Sequence, residues 1–370
     1  MGCGSSIPLP PDPAVPQPTP AKQGGSAAAP PAAPLKQDGP EPLLLPAAAS
    51  ALASAASASG ATLRLTGELE PIGDGFVLAA RNPAAEAGRA GAADGKGGHP
   101  FLEPAEALRT PVFERSVGGA VFSVLLNKFP VLDEHMLLVR AQKGHFQTDA
   151  LALADLEAAH RLLTSLGGLF FFNSGKASGA SMPHKHLQLF PAPALATLRA
   201  AAGGQLPCEA WLPGATERKG MARGEAFSLG ALAGLDHACV LLAPTASAPV
   251  VYAAYGTAMR AAGLGGVFVA ANGTDRMGDA AYEGHNVLLT SEWLMVVART
   301  DSHAWRDEGG GKGLNVNSTG FVGVLMPDGG DAAVEARLRA PGGGMAALRA
   351  VCRPAAAAVL AAPAERIVTD

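Results

Sequence analysis

Cysteine is scarce in this sequence, and the cysteines that occur stand far apart. The 370 residues contain four, at positions 3, 208, 239 and 352, and no two of them form a Cys-x-x-Cys pair. Without paired spacing, the sequence supports neither a structural zinc site nor a disulfide framework. We therefore expect a reducing, cytoplasmic compartment and no metal ion held by the protein alone.

Aromatic residues are few, and an excess of positive charge and long apolar runs are missing. Aromatic residues make up 5% of the chain, and the formal net charge at pH 7 is −4. This charge gives no general attraction to nucleic acid, so no nucleic-acid partner is expected. The apolar run at 43–45 stops at Pro46, and no stretch is long enough to predict a transmembrane helix.

The first 60 residues differ in composition from the rest of the chain. They are rich in Pro, Ala, Ser and Gly and contain no aromatic residue. Such a segment cannot bury enough apolar surface to offset the entropy that ordering would cost. The sequence therefore predicts a disordered N-terminal tail over 1–60, with structured sequence after it.

The chain begins with a lipidation pattern. Gly2 follows Met1 and Ser6 stands at the required offset, which fits N-myristoylation at Gly2, and Cys3 could then be palmitoylated. Two acyl chains would attach the protein to a membrane surface, whereas one chain holds a protein only weakly. A chance match in a Gly/Ser-rich start and an organelle transit peptide are the alternatives. Arg is absent before Arg64, which counts against a transit peptide, as do the acidic residues Asp12, Asp38 and Glu41.

Strand and helix patterns alternate in the remainder of the chain. Runs of Val, Leu and Phe predict strands at 117–128, 136–140, 169–172, 287–289 and 294–298. Helices are predicted to begin at Thr148 or Asp149, at Ser247 and at Ala332, the first ending at Gly167 and Gly168 and the last interrupted at 341–344. Residues 86–99 and 309–311 are Gly-rich predicted loops. Because the repeating βαβ pattern is missing, the order of elements favours an α+β fold with an antiparallel sheet.

A Gly/Ser-rich loop leads into two histidines and a glutamine at every second position. The loop covers residues 173–181, in which Gly175 and Gly179 permit a tight backbone path, and His184, His186 and Gln188 follow it. Successive side chains of a strand point to opposite faces, so these three would share one face and Lys185 would lie on the other. Two imidazoles and an amide beside a loop rich in backbone N–H donors suit phosphate chemistry with a nitrogen nucleophile.

The motif resembles that of the diadenosine tetraphosphate (Ap4A) phosphorylases, or ATP adenylyltransferases. These belong to the galactose-1-phosphate-uridylyltransferase branch of the histidine triad (HIT) superfamily. Two further blocks fit the family, namely 125–130 followed by 135–139, and 285–293 followed by 317–323. The resemblance implies a HIT-like antiparallel sheet with packed helices. It divides the chain into a catalytic part at 61–225 and an ATP adenylyltransferase C-terminal part at 226–370.

The resemblance also implies a role for each residue of the motif. His186 would be the nucleophile that forms a nucleotidyl-histidine, His184 would orient the site, and Gln188 would donate a hydrogen bond to a phosphoryl oxygen. Hydrolytic relatives carry a third His where this chain has Gln188. Because an amide does not shuttle protons at neutral pH, transfer to phosphate is expected rather than transfer to water. The loop would bind substrate through Asn173, Ser174, Gly179, Ala180, Ser181 and Met182.

The two flanking blocks supply further candidates. Asn127 and Lys128 would contact nucleotide or phosphate, and Asn286 would contact nucleotide. Trp293 and Phe321 are expected to lie in the core, because large aromatic side chains more often pack in a core than contact a ligand.

The chain departs from the family at two loop positions. Met182 replaces a Gln and has no donor to offer a ligand, and Lys176 replaces a Pro and adds a positive charge. The expected activity is reversible cleavage of Ap4A by inorganic phosphate to ADP and ATP, with Mg²⁺ bound to the substrate. One alternative is a hydrolase or a uridylyl-type transferase on the same scaffold. The other is a membrane-tethered sensor that binds Ap4A without much turnover, which the two departures and the lipidation pattern motivate.

Overall fold

The structure is a computed structural model that describes residues 44, 46–93, 99–267, 284–306, 313–327 and 331–355, with the backbone alone for 90–93 and 111–115. All of these residues belong to one compact unit, residues 35–370. The predicted lipidation sites Gly2 and Cys3, most of the predicted tail and the Gly run at 309–311 lie outside the described residues. Within the described residues, no helix combines the length and apolar character needed to cross a membrane.

Fourteen strands are present in the described part of the chain. They are β1 (Thr66–Gly73), β2 (Phe76–Arg81), β3 (Arg109–Val117), β4 (Ala120–Leu126), β5 (Met136–Arg140), β6 (Leu169–Ser174), β7 (His186–Phe190), β8 (Ala226–Phe227), β9 (His237–Leu241), β10 (His285–Leu289), β11 (Trp293–Ala298), β12 (His303–Ala304), β13 (Leu314–Asn315) and β14 (Val324–Leu325).

Nine of these strands form one antiparallel sheet in the order β3-β4-β5-β7-β6-β10-β11-β9-β8. Strand β10 pairs with β6 along its whole length, so segments from both sides of residue 225 contribute to one continuous sheet. A second sheet has the order β1-β2-β14, with β14 parallel to β2, and β12 pairs with β13. The α+β prediction with an antiparallel sheet is therefore confirmed.

Helices surround the sheet. They are α1 (Pro46–Ala58), α2 (Pro83–Ala93), α3 (Leu153–Leu166), α4 (Ala192–Ala201), α5 (Pro207–Ala210), α6 (Ala215–Gly220), α7 (Ala248–Ala261), α8 (Ser318–Val322), α9 (Ala332–Arg339) and α10 (Gly343–Val351). Single turns of 3₁₀ helix lie at Glu106–Leu108, Lys176–Ser178 and Gly230–Leu232.

The two faces of the sheet carry different cores, because side chains alternate along each strand. Phe170 and Leu187 point into one cluster, which also contains buried residues of α1, α3 and α7. Phe171 and Phe190 point into the other, formed with the small sheet and with α4 and α8 to α10. On this second face, a small separate cluster forms around Leu125, Leu137 and Val139, with Phe101 packed against it. The predicted reactive residues lie on this second face.

Two segments predicted to lack structure contain helices. Residues 46–58 of the predicted tail form α1, whose Ala49 and Ala56 are buried in the core. Residues 83–93 form α2, in place of the first part of the predicted loop at 86–99. Both predictions were wrong for the same reason. Alanine is the strongest helix former, so these Ala-rich stretches become helical where small side chains can pack closely.

The region before the motif also differs from prediction in detail. The predicted strand at 117–128 contains a turn: β3 ends at Val117, Gly118 and Gly119 turn the chain at positive φ, and β4 begins at Ala120. Helix α3 is capped by Asp155, whose carboxylate accepts the Ala152 N–H at 2.8 Å. Asp149, a predicted cap, instead accepts the Phe146 N–H at 2.8 Å in the preceding turn. Gly167 ends α3 as expected, with a φ of 61°.

Candidate active site

The strand that carries the motif lies in the middle of the sheet, between β5 and β6. His186 pairs with Val139, and Gln188 pairs with Leu137 on one side and Phe171 on the other. His186 is 5% exposed, and Gln188 is half-buried. This central position gives the His186 backbone a fixed place, as expected for a residue that must face a substrate in one geometry.

The imidazole of His186 is held in one tautomer. Its Nδ1 lies 2.9 Å from the backbone oxygen of His184, which can only accept, so Nδ1 carries the hydrogen and Nε2 keeps its lone pair. Burial lowers the pKa of His186 to about 4, against the opposing effect of the bond to His184. At neutral pH the ring is therefore uncharged, with a nucleophilic Nε2.

His184 shares the environment of His186. Its Nε2 lies 2.6 Å from the backbone oxygen of Arg140, and the Phe101 ring contacts both imidazoles, with centroids 6.4 Å from His184 and 4.9 Å from His186. The His184 side chain is thus anchored to the neighbouring strand while its carbonyl orients His186. These contacts are compatible with the predicted role of His184 in orienting the site, which stays a prediction.

Gln147, which the sequence analysis missed, joins the motif to the loop. Strands β6 and β7 separate beyond the pair Phe171 and Gln188, and the Gln147 amide fills the gap. Its Oε1 accepts the His186 N–H at 2.8 Å, and its Nε2 donates to the carbonyls of His186 and Asn173 at 3.0 and 2.9 Å. No periodicity marked this residue, because its role depends on two strands distant in sequence.

A buried ion cluster lies beneath the motif. Lys185 points away from the two histidines, as predicted, and its Nζ donates to Asp155 at 2.9 Å and to the Ala150 carbonyl at 2.7 Å. Arg140 donates to the other Asp155 oxygen at 2.6 Å. Burial raises the pKa of Asp155, but the charges of Lys185 and Arg140, together with the hydrogen bonds from Ala152 and Arg140, lower it by more, so the net pKa is lowered. The carboxylate therefore stays ionised and ties helix α3 to β5 and to the start of β7.

The loop at 173–181 folds around two glycines. Gly175 and Gly179 have φ values of 82° and 84°, between which Lys176–Ser178 forms one 3₁₀ turn. A Cβ at Gly179 would lie 2.6 Å from the Cβ of Asn317, so the loop packs directly against the segment that precedes α8. The sequence prediction of a tight backbone path at these two glycines is confirmed.

A buried amide network holds the base of the loop. Asn286 is fully buried, and its Nδ2 donates to Asn173 Oδ1 at 2.8 Å, to Ser318 Oγ at 3.0 Å and to the Ser178 carbonyl at 3.1 Å. Its Oδ1 accepts from Arg299, a buried residue that the sequence analysis did not single out. Asn286 and Asn173 therefore support the loop from below. The side-chain polar atoms of Asn286 are thus already hydrogen-bonded within the protein. A direct contact of Asn286 with nucleotide stays a prediction.

The other predicted binding residues differ in exposure. Ser174 is fully buried, whereas Ser181 is exposed. Ala180 and Met182 are partly exposed on the outer part of the loop, so a ligand can reach them. Lys176 is exposed as well.

Asn127 and Lys128 lie at the end of β4, at the opposite end of β7 from the loop. Asn127 is half-buried and contacts His135 through its Nδ2, 3.2 Å from Nδ1, while Lys128 is exposed beside the ring of Phe129. Both roles toward a nucleotide stay predictions. Trp293 and Phe321 are buried core residues, as expected.

Metal ligands do not converge at the site. Among the described residues, no group of three or more His, Cys, Asp or Glu side chains has a geometry that could hold a metal ion. The site instead presents one imidazole lone pair, one half-buried amide and a glycine-bent loop.

Two sequence models of known domains match this chain. The Ap4A phosphorylase N-terminal domain matches residues 77–212, and the ATP adenylyltransferase C-terminal domain matches residues 233–354. The chain belongs to the Ap4A phosphorylase family. Both domain matches contain residues of the site described above, the first the histidine motif and the second Asn286 and Arg299.

Curated relatives from Saccharomyces cerevisiae match part of the chain. Protein APA1 is 44% identical over 109 residues, which is 26% of this chain and 32% of that protein. Diadenosine 5',5'''-P1,P4-tetraphosphate phosphorylase 2 is 40% identical over 111 residues, 27% of this chain and 33% of that protein. These alignments thus span about a third of the length of each curated relative.

Solved structures of yeast Ap4A phosphorylase Apa2 share the fold over most of the chain. One superposes with a TM-score of 0.63 and 22% identity, covering 86% of this chain and 99% of Apa2. Apa2 in complex with Ap4A gives a TM-score of 0.59 at 23% identity with the same coverage. Apa2 in complex with AMP gives 0.59 at 24% identity, covering 84% of this chain and 97% of Apa2. Because all three identities are below 25%, these superpositions show the fold of this chain alone.

Proposed function

We propose that this protein is a nucleotidyltransferase that cleaves Ap4A with inorganic phosphate to ADP and ATP, reversibly, through an adenylyl-His186 intermediate. The observation that carries the proposal is the state of His186. Its ring is neutral at pH 7, its Nε2 lone pair is available, and it follows the glycine-bent loop in the centre of the sheet. A positioned, unprotonated imidazole is the group that attack on a phosphorus atom requires.

The reaction has two displacements. In the first, His186 Nε2 attacks the α-phosphorus of Ap4A, a P–N bond forms, and the bond from that phosphorus to the bridging oxygen breaks, so that ATP leaves. In the second, a phosphate oxygen attacks the same phosphorus, the P–N bond breaks, and ADP forms. The reverse sequence makes Ap4A from ATP and ADP. Two displacements allow a chosen acceptor to complete the transfer.

Gln188 supports phosphate as that acceptor. Its half-buried amide lies on the same face as His186, from which it can donate a hydrogen bond to a phosphoryl oxygen. An amide does not accept or release a proton at neutral pH, so it offers no general base to activate water.

Mg²⁺ is proposed to enter with the polyphosphate. Its preference for oxygen ligands and retained waters suits binding through substrate phosphates. There it would neutralise charge that develops on the leaving ATP. The exposed Lys176 ammonium, at the edge of the loop, adds a positive charge of the chain's own.

The test is an incubation of the purified full chain with Ap4A and Mg²⁺, with and without inorganic phosphate, followed by chromatographic separation of products. ADP and ATP should form only when phosphate is present. His186→Ala should abolish this, whereas His160→Ala, on α3 away from the site, should leave the rate unchanged. Mass spectrometry of wild type quenched without phosphate should show one added adenylyl group, which the His186→Ala variant lacks.

Each alternative has its own outcome in the same experiment. AMP and ATP without phosphate would identify a hydrolase, and preferential turnover of a uridine nucleotide would identify a uridylyl-type transferase. Saturable Ap4A binding without products would support the sensor. In that case, Met182→Gln should raise turnover if the departure from the family residue is the cause.

Attachment to a membrane surface is a separate proposal, supported by the pattern at Gly2 and Cys3. Cells expressing the full chain would be fed alkyne analogues of myristate and palmitate, and the protein would be tested for label. Gly2→Ala should remove both labels, and Cys3→Ser should remove only palmitate. Unlabelled wild type would contradict the proposal. A processed N-terminus beyond residue 3 would indicate a transit peptide instead.

A further inference from the structure

His135 is a buried imidazole near the motif, with one nitrogen that lacks a partner. It immediately precedes β5, is 2% exposed, and packs against the rings of Phe171 and Phe190, with centroid distances of 5.8 and 4.8 Å. Within the described part of the chain, its Nε2 has no hydrogen-bond partner. Because buried polar atoms are nearly always paired, this nitrogen calls for a functional explanation.

The neighbours of Nδ1 determine which nitrogen carries the hydrogen. The backbone N–H of Val131 points at His135 Nδ1 from 3.3 Å, and the Asn127 Nδ2 lies 3.2 Å from the same atom. The Asn127 amide cannot be reversed, because its Oδ1 accepts the Phe129 N–H at 3.0 Å. Since both neighbours are donors, Nδ1 must accept, and the hydrogen of the neutral ring is on Nε2. Burial lowers the pKa of His135 to about 3, so the ring remains neutral at physiological pH.

The unpartnered N–H lies close to Gln188. Burial has the largest effect on the pKa of His135 and lowers it, whereas the Gln188 side chain raises it. An acceptor oxygen beside the ring has this effect. Gln188 pairs with Leu137, two residues beyond His135, so the two side chains come from neighbouring strands. His135 is buried and Gln188 is half-buried, so Gln188 is placed between His135 and the open part of the site.

We propose that His135 is a positioning residue that sets which end of the Gln188 amide faces the substrate. In the substrate complex, the His135 Nε2–H that is unpaired among the described residues binds the Gln188 carbonyl oxygen, and the amide NH₂ is then directed at the phosphoryl group under attack. The reversed amide would place N–H against N–H and direct an oxygen at an anion. The identity of that anion rests on the proposed function. Asn127, in turn, acts on the site through His135.

A double-mutant cycle tests whether His135 acts through Gln188. His135→Phe removes both ring nitrogens at similar volume, and Gln188→Met removes the amide. The first variant should lower kcat for Ap4A phosphorolysis roughly tenfold to a hundredfold, with a smaller change in KM, because one donor is no longer oriented. In the Gln188→Met background, His135→Phe should cause no further loss. Additive losses would overturn the proposal, because residues that act as one unit are not additive.

A pair of amide substitutions separates orientation from packing. His135→Gln places an amide nitrogen near the former Nε2 position and should retain most of the wild-type kcat. The shorter His135→Asn reaches only the Nδ1 position and should be as slow as His135→Phe. Equal activity of the Gln and Asn variants would contradict a role for the Nε2–H. This pair also decides the matter if His135→Phe fails to fold.

A measurement without turnover distinguishes failure of this inference from failure of the proposed function. Nitrogen-15 NMR of the wild-type imidazoles should show His135 as the neutral Nε2–H tautomer from pH 5 to pH 8. The Gln188 side-chain amide signals should shift in His135→Gln and His135→Asn by different amounts. A His135 ring with its hydrogen on Nδ1 would refute the inference. Absence of phosphorolysis in wild type would refute only the proposed function.

Discussion

The side-chain amide of Gln147 hydrogen-bonds both backbone groups of His186. Its Oε1 accepts the His186 N–H at 2.8 Å, and its Nε2 donates to the His186 carbonyl at 3.0 Å. A strand would normally satisfy these groups, but β6 has already separated from β7 at this point. Gln147 therefore takes the place of a neighbouring strand and holds the proposed nucleophile where β6 and β7 separate.

Substitution of Gln147 by Leu should impair both catalysis and stability. The buried N–H and C=O of His186 and the Asn173 carbonyl would lose this partner, at a cost of roughly 1–3 kcal/mol for each group left unpaired. We expect a fall in kcat of roughly a hundredfold, since small displacements of a reacting group have effects of that order. Phosphorolysis rates and urea unfolding would measure the two effects. Gln205→Leu, at an exposed glutamine, should change neither.

Near neutral pH, protonation of His186 should not affect the rate of adenylyl transfer to this residue. Burial lowers its pKa to about 4, so its Nε2 lone pair is available throughout the range above pH 5. As the pH falls through 4, protonation removes the lone pair and the rate should drop tenfold per unit. Single-turnover rates from about pH 3 to pH 8 would test this, with circular dichroism at each pH to exclude unfolding. A midpoint near 6.5, the ordinary histidine value, would contradict the prediction, because it would show that burial does not lower the pKa of His186.

Substitution of Asp155 by Asn should destabilise the protein strongly. Lys185 and Arg140 would both remain buried near a neutral amide, and removing one member of a buried ion cluster costs roughly 3–5 kcal/mol. Asp133→Asn provides the matched control, because its carboxylate is exposed and pairs with Arg64 only at 3.4 Å. That change should cost less than about 1 kcal/mol. Equal midpoints of denaturant unfolding for the two variants would contradict the role of the cluster.

Substitution of Gly179 by Ala should displace the loop at 173–181. A Cβ there would lie 2.6 Å from Asn317 Cβ, in addition to the strain of a φ of 84°. Gly203 has the same φ of 84° but no atom within 4 Å of an added Cβ, so Gly203→Ala isolates the backbone strain. We expect Gly179→Ala to weaken Ap4A binding, measured by calorimetry, while Gly203→Ala binds like wild type. Loss of binding in both variants would attribute the effect to strain alone.

Local patterns predicted the elements of the core more reliably than their ends. The alternation of His184, Lys185 and His186 correctly placed Lys185 away from the two histidines. The Gly167 stop of α3 and the start of α7 after Ser247 were also correct, because both depend on nearby residues. The predicted cap at Thr148 or Asp149 was wrong, because α3 begins only at Leu153. Asp155, which Arg140 and Lys185 hold in place, caps the helix instead.

The sequence by itself determined the family, the antiparallel fold and the positions of His184, His186 and Gln188, since these depend on spacing within short segments. Tertiary structure alone decided which residues support them. Gln147, Asp155 and Arg299 act across strands and helices that are distant in sequence, so no local pattern marks them. Tertiary structure also decided the state of His186, because its pKa and its tautomer come from burial and from a carbonyl held in place by the fold.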